Sequence, residues 1–254
     1  MSLDAATALT PAGPHRYLAR LDAGWWLDGT AFGGYLAALL LRAIAAGVEA
    51  PDQRVLALAV HFGGRVAPGE ALVTVRPDQL GRSVSSVSAT LSQGGVTTTC
   101  ATASFGRRRG GPPLRRWPQP AVPAAADCPE LTVRPQVRER FALAARFERR
   151  RLPAGPVGGW IRLAEPRPPD ELSVVTLLDS WTAAVAALVP VRRMLTVAYH
   201  VQFLAEPVGL SADDYALVTF EAGSVSDGYA DDDGELWAGD VLVARSRQAV
   251  LIGD

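Results

Sequence analysis

Asp179 stands in VVTLLDSWTAAVAAL, residues 174–188, where every other side chain is uncharged. The run reads as part of a helix over 170–189, opened by Pro168-Pro169-Asp170 and striped by Leu178, Trp181, Val185 and Leu188 at helical spacing. On such a helix Val175, Thr176, Thr182 and Ala183 are the neighbours three and four residues from Asp179, a small face without charge. A carboxylate buried there without hydrogen-bond partners costs several kcal/mol. An unpaired Asp in such a place is more often functional than structural. A capping or solvent-facing Asp is the alternative, and at this point both stand.

Other chemistries lack their residues. No G-x-S-x-G, G-x-x-x-x-G-K-[ST] or dinucleotide-binding glycine pattern occurs, which argues against a hydrolase elbow, a phosphate loop and a nicotinamide site. His15, His61 and His200 are too scattered for a zinc site. Cys100 and Cys128 have no neighbouring base and cannot form a disulfide framework. The expectation is therefore catalysis without metal, cofactor or covalent intermediate.

The elements that must position Asp179 occur twice. ALVTV at 71–75 matches ALVTF at 216–220, an offset of 145 that runs without a gap to Phe105 and Val250. Upstream, VHF at 60–62 matches VQF at 201–203, with four extra residues in the following loop of the second copy. The first copy has a helix over 32–47 with Gly47 as its stop. Alternating strand-like runs follow at 54–66, 70–79, 83–93 and 96–106. The second copy repeats them at 193–205, 215–226, 229–238 and 241–252, with Gly239-Asp240 as its last hairpin turn. One or two further strands are expected within 131–165. A helix followed by antiparallel strands, duplicated, is an α+β pattern in which each sheet wraps one helix.

The bounds expected are 1–107 for the first copy, 108–130 for a Pro- and Arg-rich linker, and 131–254 for the second. The linker arginines read as solvated, with a phosphate contact as the alternative. Across 254 residues, 48% are hydrophobic and 20% charged, and the formal net charge of -1 gives no basic excess for nucleic acid. All the basic side chains are Arg. No signal peptide is evident, and the most apolar stretch, 35–46, is interrupted by Arg42 and too short to span a membrane. A reducing, cytoplasmic setting is the expectation.

Three segments carry a family likeness: WLDGTAFGGYLAALLLRA at 26–43, TVAYHVQFLAEP at 196–207 and ADDDGELWAGDVLVARSRQAVLI at 230–252. They resemble acyl-CoA thioesterases of the double-hotdog, thioesterase-II-like type, and the likeness includes the duplication. It implies a double hotdog, two tandem copies of a central helix wrapped by an antiparallel sheet, acting on acyl-CoA or another pantetheine thioester. It also implies a catalytic set of Asp179, Thr196 and Gln248 that holds and activates a water. A carboxylate can take the water's proton, while hydroxyl and amide orient it. At the duplication register Gln248 falls on Ala103 and Thr196 on Val55, so the set exists once per chain.

Phe32-Gly33-Gly34-Tyr35 opens the first helix. The backbone N–H groups of Gly33, Gly34 and Tyr35 are candidates to bind the substrate's carbonyl oxygen. Close helix–sheet approach is the alternative use of the glycines. Where the family often carries a second acid, two residues after Thr196, this chain has Ala198. His200 reads as structural, and Trp25, Trp26, Trp160 and Trp181 read as core before acyl pocket.

Hotdog folds also carry hydratases, which resemble one another in an Asp followed five residues later by His. Thr10, Leu56 and Leu195 occupy that position before His15, His61 and His200. The second reading kept is a non-catalytic protein that binds acyl thioesters. Self-association as a homo-oligomer is a further expectation, since sheet edges need covering.

Overall fold

The computed structural model describes residues 1–48, 52–107, 109, 118–132, 142–190, 193–207 and 209–253. Most of the Arg-rich linker stretch, 108 and 110–117, lies outside them.

The first half contains helix α1 (Leu3–Ala6), strands β1 (Leu9–Pro11) and β2 (Arg16–Leu21), and the short pair β3 (Trp26–Leu27) and β4 (Thr30–Ala31). The long helix α2 (Gly33–Ala46) follows, and then β5 (Gln53–Phe62), β6 (Gly69–Gln79), β7 (Val84–Gln93) and β8 (Val96–Arg107). The second half contains β9 (Phe147–Arg151), β10 (Val157–Leu163) and helix α3 (Glu171–Leu177). It ends with β11 (Arg193–Phe203), β12 (Ala216–Ser226), β13 (Tyr229–Ala238) and β14 (Val241–Gly253). Period-two patterning accounts for the strands: in β7, Val87, Ala89 and Leu91 are buried while Ser86, Ser88 and Thr90 alternate with them. The β7–β8 and β13–β14 turns use Gly94-Gly95 and Gly239, all at positive φ, as a tight hairpin requires.

All the strands except β3 and β4 join one antiparallel sheet, in the order β1-β2-β6-β7-β8-β5-β11-β14-β13-β12-β10-β9. The two halves meet at β5–β11, where Ala198 pairs with His61 and Gln202 with Ala57, a register symmetric about His200–Ala59. Each half of the order mirrors the other, so the duplication is built as a pseudo-two-fold. The mirror extends to irregularities. The ladder slips between Val55 and Ala57 against β8, and between Thr196 and Ala198 against β14. These are equivalent positions of the two copies, and each bulge re-aims the side chains beside it.

Helix α2 fills the sheet's inner side. Leu39, Leu40 and Ile44 are fully buried, each contributing roughly 1.5–3 kcal/mol of transfer free energy. Helix α3 packs on α2. Asp170 caps α3 by accepting from the Ser173 N–H at 2.9 Å, and Arg167 binds Asp170 together with Asp4 of α1.

The helix expected over 170–189 is corrected. α3 ends at Leu177, and the chain turns through Asp179 and Ser180 before a short 3-10 turn at Ala184–Ala187. Ala-rich sequence favours helix by only tenths of a kcal/mol per residue, and tertiary contacts outweigh it here. The Ser180 hydroxyl binds the Leu177 carbonyl at 2.7 Å. The Trp181 ring lies over Gly159 of β10, where a Cβ would stand 2.9 Å from it and closer still to the Arg150 carbonyl. Val185 is buried with Ala230 and Val250, while Leu188 is 63% exposed, so the expected apolar stripe is not one face.

Candidate active site

Asp179, Thr196 and Gln248 come together through hydrogen bonds although they lie on three separate segments. Asp179 sits in the turn after α3, Thr196 at the bulge of β11, and Gln248 on β14, facing inward and 7% exposed. The Thr196 hydroxyl donates to the Gln248 Oε1 at 2.7 Å. That bond fixes the amide, so its Nε2 donates to the Asp179 Oδ1 at 2.9 Å. The other carboxylate oxygen, Oδ2, accepts the backbone N–H of Gly34 at 2.5 Å.

The last contact crosses between the halves. Helix α2 begins after Phe32, whose side chain offers no capping acceptor, so its first N–H groups need partners from elsewhere. Asp179 supplies one at Gly34, the second residue of the helix. The glycines permit the approach: a Cβ on Gly33 would stand 2.9 Å from the Asp179 Oδ2, and one on Gly34 would stand 3.0 Å from the Asp179 Cβ. Phe62 and Phe32 wall the same corner.

Of the N–H groups expected at 33–35, the one at Gly34 is committed to Asp179 and is not free for a substrate oxygen. The Tyr35 side chain turns away into the N-terminal core, fully buried, stacked on Trp25 and donating to the Ala6 carbonyl at 2.9 Å.

Burial is the dominant influence on Asp179 and raises its pKa to about 7. The bonds from Gly34 and Gln248 pull the other way and are outweighed, and Asp232 adds a smaller upward push. Tyr199, fully buried beside Asp179, donates its hydroxyl to the Val175 carbonyl at 2.9 Å and so anchors α3. Asp232 was missed from sequence. It is the inward member of ADDDGE on β13, 2% exposed, and it accepts from the Ala184 and Val185 N–H groups. Its signal was alternation: Ala230, Asp232, Gly234 and Leu236 all face inward, and one of them is charged.

The remaining candidates lie elsewhere. Trp25 and Trp26 are N-terminal core, and Trp160 donates to the Pro123 carbonyl of the linker at 2.9 Å. Only Trp181 is close in sequence to Asp179. His61 and His200 meet edge to face, 5.7 Å apart, with both side chains exposed. A groove of about 880 Å³ on that side is lined by His200, Gln202, Asp233, Arg245 and Arg247. It includes none of Asp179, Thr196 or Gln248, so volume alone does not mark the chemistry. Among the described residues no cluster of three or more His, Cys, Asp or Glu is placed to hold a metal ion. Among them too, no helix is long and apolar enough to cross a membrane.

A mirrored antiparallel sheet packed around helices α2 and α3 is a double hotdog. The model of the acyl-CoA thioesterase N-terminal domain matches residues 22–106, and that of the C-terminal domain matches 97–252, so the chain belongs to the acyl-CoA thioesterase family. A hotdog protein of unknown function from Alicyclobacillus acidocaldarius is 27% identical with a TM-score of 0.89, over 99% of this chain and 98% of that one. A putative thioesterase II from Thermobifida fusca is 25% identical with a TM-score of 0.88, over 99% and 97%. An acyl-CoA thioesterase II from Mycobacterium marinum shares the fold at 20% identity, TM-score 0.80, over 99% and 98%. No curated protein matches the chain.

Proposed function

We propose that the chain hydrolyses an acyl thioester, acyl-CoA or another pantetheine thioester, by direct attack of water. The observation that carries this reading is the Thr196–Gln248–Asp179 hydrogen-bond chain, ending on a carboxylate whose pKa burial raises to about 7. Each Asp179 oxygen accepts one bond from the protein and retains capacity for another. The Gln248 amide has a second N–H, and Thr196, having donated its proton, has lone pairs to accept one.

A water among these groups gives a proton to Asp179 as its oxygen attacks the thioester carbonyl. The tetrahedral intermediate collapses with cleavage of the C–S bond, and the departing sulfur takes up the proton. Carboxylic acid and thiol are the products, and no covalent enzyme intermediate or cofactor is needed.

Thiol release from a panel of acyl-CoAs, short to long, tests the reading with wild type and Asp179→Asn side by side. The expected result is turnover by wild type that falls by on the order of a hundredfold or more in the variant. Binding of acyl-CoA without turnover by wild type would replace hydrolysis with a binding function.

A further inference from the structure

We propose that Asp232 is a positioning residue for this site, fastening the turn that carries Asp179 to the strand pair that carries Gln248. The proposal rests on the hydrolytic reading above for its kinetic consequence, though not for its geometry. Asp232 faces Gln248 directly across the β13–β14 ladder, and both side chains point inward. Its Oδ2 accepts from the backbone N–H groups of Ala184 and Val185, the latter at 3.4 Å.

Those two residues open the 3-10 turn at Ala184–Ala187, whose N-cap residue, Ala183, has no side-chain acceptor of its own. Asp232 thereby caps a turn from another element, as Asp179 does for α2. The segment between Leu177 and Ala184 is held at both ends, by α3 and by Asp232, with Asp179 inside it. Nothing else about β13 asks for a buried carboxylate. Its outward neighbour Asp233 pairs with Arg247, whereas among the described residues Asp232 has only backbone donors. Burying an acid without a cation is costly, and the cost is met only where its hydrogen bonds matter.

Among the described residues the charged and titratable groups around the pair are few. The Tyr199 hydroxyl is near Asp179, Asp231 and Asp233 flank Asp232 on its own strand, and Arg247 on β14 faces those two on the outer side. Ala222 of β12 and the residues of the 3-10 turn bring no charge. Burial raises the Asp232 pKa to about 6, so at neutral pH its carboxylate is largely ionised and opposes ionisation of Asp179.

Two variants separate the bond from the charge. Asp232→Ala removes both, while Asp232→Asn keeps an oxygen for the two N–H groups and removes the charge. Kinetics from about pH 5 to pH 9 should show Asp232→Ala with kcat down roughly tenfold or more and KM little changed. Asp232→Asn should rescue most of that loss and move the acid limb of kcat to lower pH. A carbon NMR titration of the Asp179 carboxyl should show the same downward shift in Asp232→Asn, with or without turnover. A folded Asp232→Ala with full kcat would overturn the proposal. So would full kcat in Asp232→Glu, which keeps the charge but displaces the carboxylate from the two N–H groups and decides the matter if Asp232→Ala fails to fold. Absence of thioester hydrolysis by wild type would remove the hydrolytic reading and leave amide hydrogen exchange across 178–185, expected to be faster in Asp232→Ala than in wild type, to decide this one; unchanged exchange would overturn it.

Discussion

The backbone N–H of Gly34 ends 2.5 Å from the Oδ2 of Asp179, so a helix of the first half is capped by a carboxylate of the second. One residue thus serves two purposes: it satisfies a helix terminus and presents an acid to the site. These purposes pull its proton affinity in opposite directions, and burial wins.

The first prediction concerns rate against pH. With Asp179 titrating at about 7 and acting as its ionised form, kcat should rise through that pH and level above it. Stopped-time thiol release with a saturating acyl-CoA measures it. A profile flat from about pH 5 upward would mean another group accepts the proton.

Stability should show the opposite trend. Folded Asp179 binds its proton more tightly than the unfolded chain does, where the pKa is near the usual 3.8. Between that value and about 7 the folded state holds the extra proton, so this group's contribution falls as pH rises. Asp179→Asn, which cannot ionise, should therefore melt higher than wild type by about 2–4 °C above pH 7, for on the order of 1 kcal/mol. The gain should vanish towards pH 4, and calorimetry across that range measures it.

Thr196 is expected to act by holding the Gln248 amide in one orientation. Thr196→Val keeps the shape but leaves the Gln248 Oε1 without its donor. A fall in kcat of roughly ten- to a hundredfold should follow, with Thr196→Ser recovering much of it. Full kcat in Thr196→Val would point to shape and packing instead.

Gly34→Ala tests the contact between the halves. Alanine normally favours a helix by about 1 kcal/mol over glycine. Here its Cβ would meet the Phe32 ring at 2.8 Å and the Asp179 Cβ at 3.0 Å. The expected result is a lower kcat with little or no gain in melting temperature, measured on the same preparation.

The long strands β5–β8 and β11–β14 were legible because each carries its own alternation and ends at its own turn residues, as Gly94-Gly95 and Gly239-Asp240 do, whereas the short β1–β4 were not anticipated. The end of α3 was not, because nothing within TAAVAAL opposes a helix. What ends it lies on other elements, the Gly159 backbone under Trp181 and the Asp232 carboxylate at Ala184. Asp179 was visible as a charge in an apolar run, although the helical face imagined around it does not exist. Thr196 and Gln248 carry no local peculiarity and were reached through family likeness alone. Their meeting depends on a bulge that slips the ladder between Thr196 and Ala198.

Both copies lie on one polypeptide, and the pairing of β5 with β11 joins them within one sheet. In a symmetric pair of identical subunits every substitution appears twice, so a change that helps one site must be tolerated at its twin. Joining the copies lifts that constraint. Val55 and Ala103 stand where Thr196 and Gln248 stand in the other half, and the vacated half contributes the Gly34 end of α2. Each half is thus free to accumulate changes suited to its own task, and an insertion near one bulge need not disturb the other.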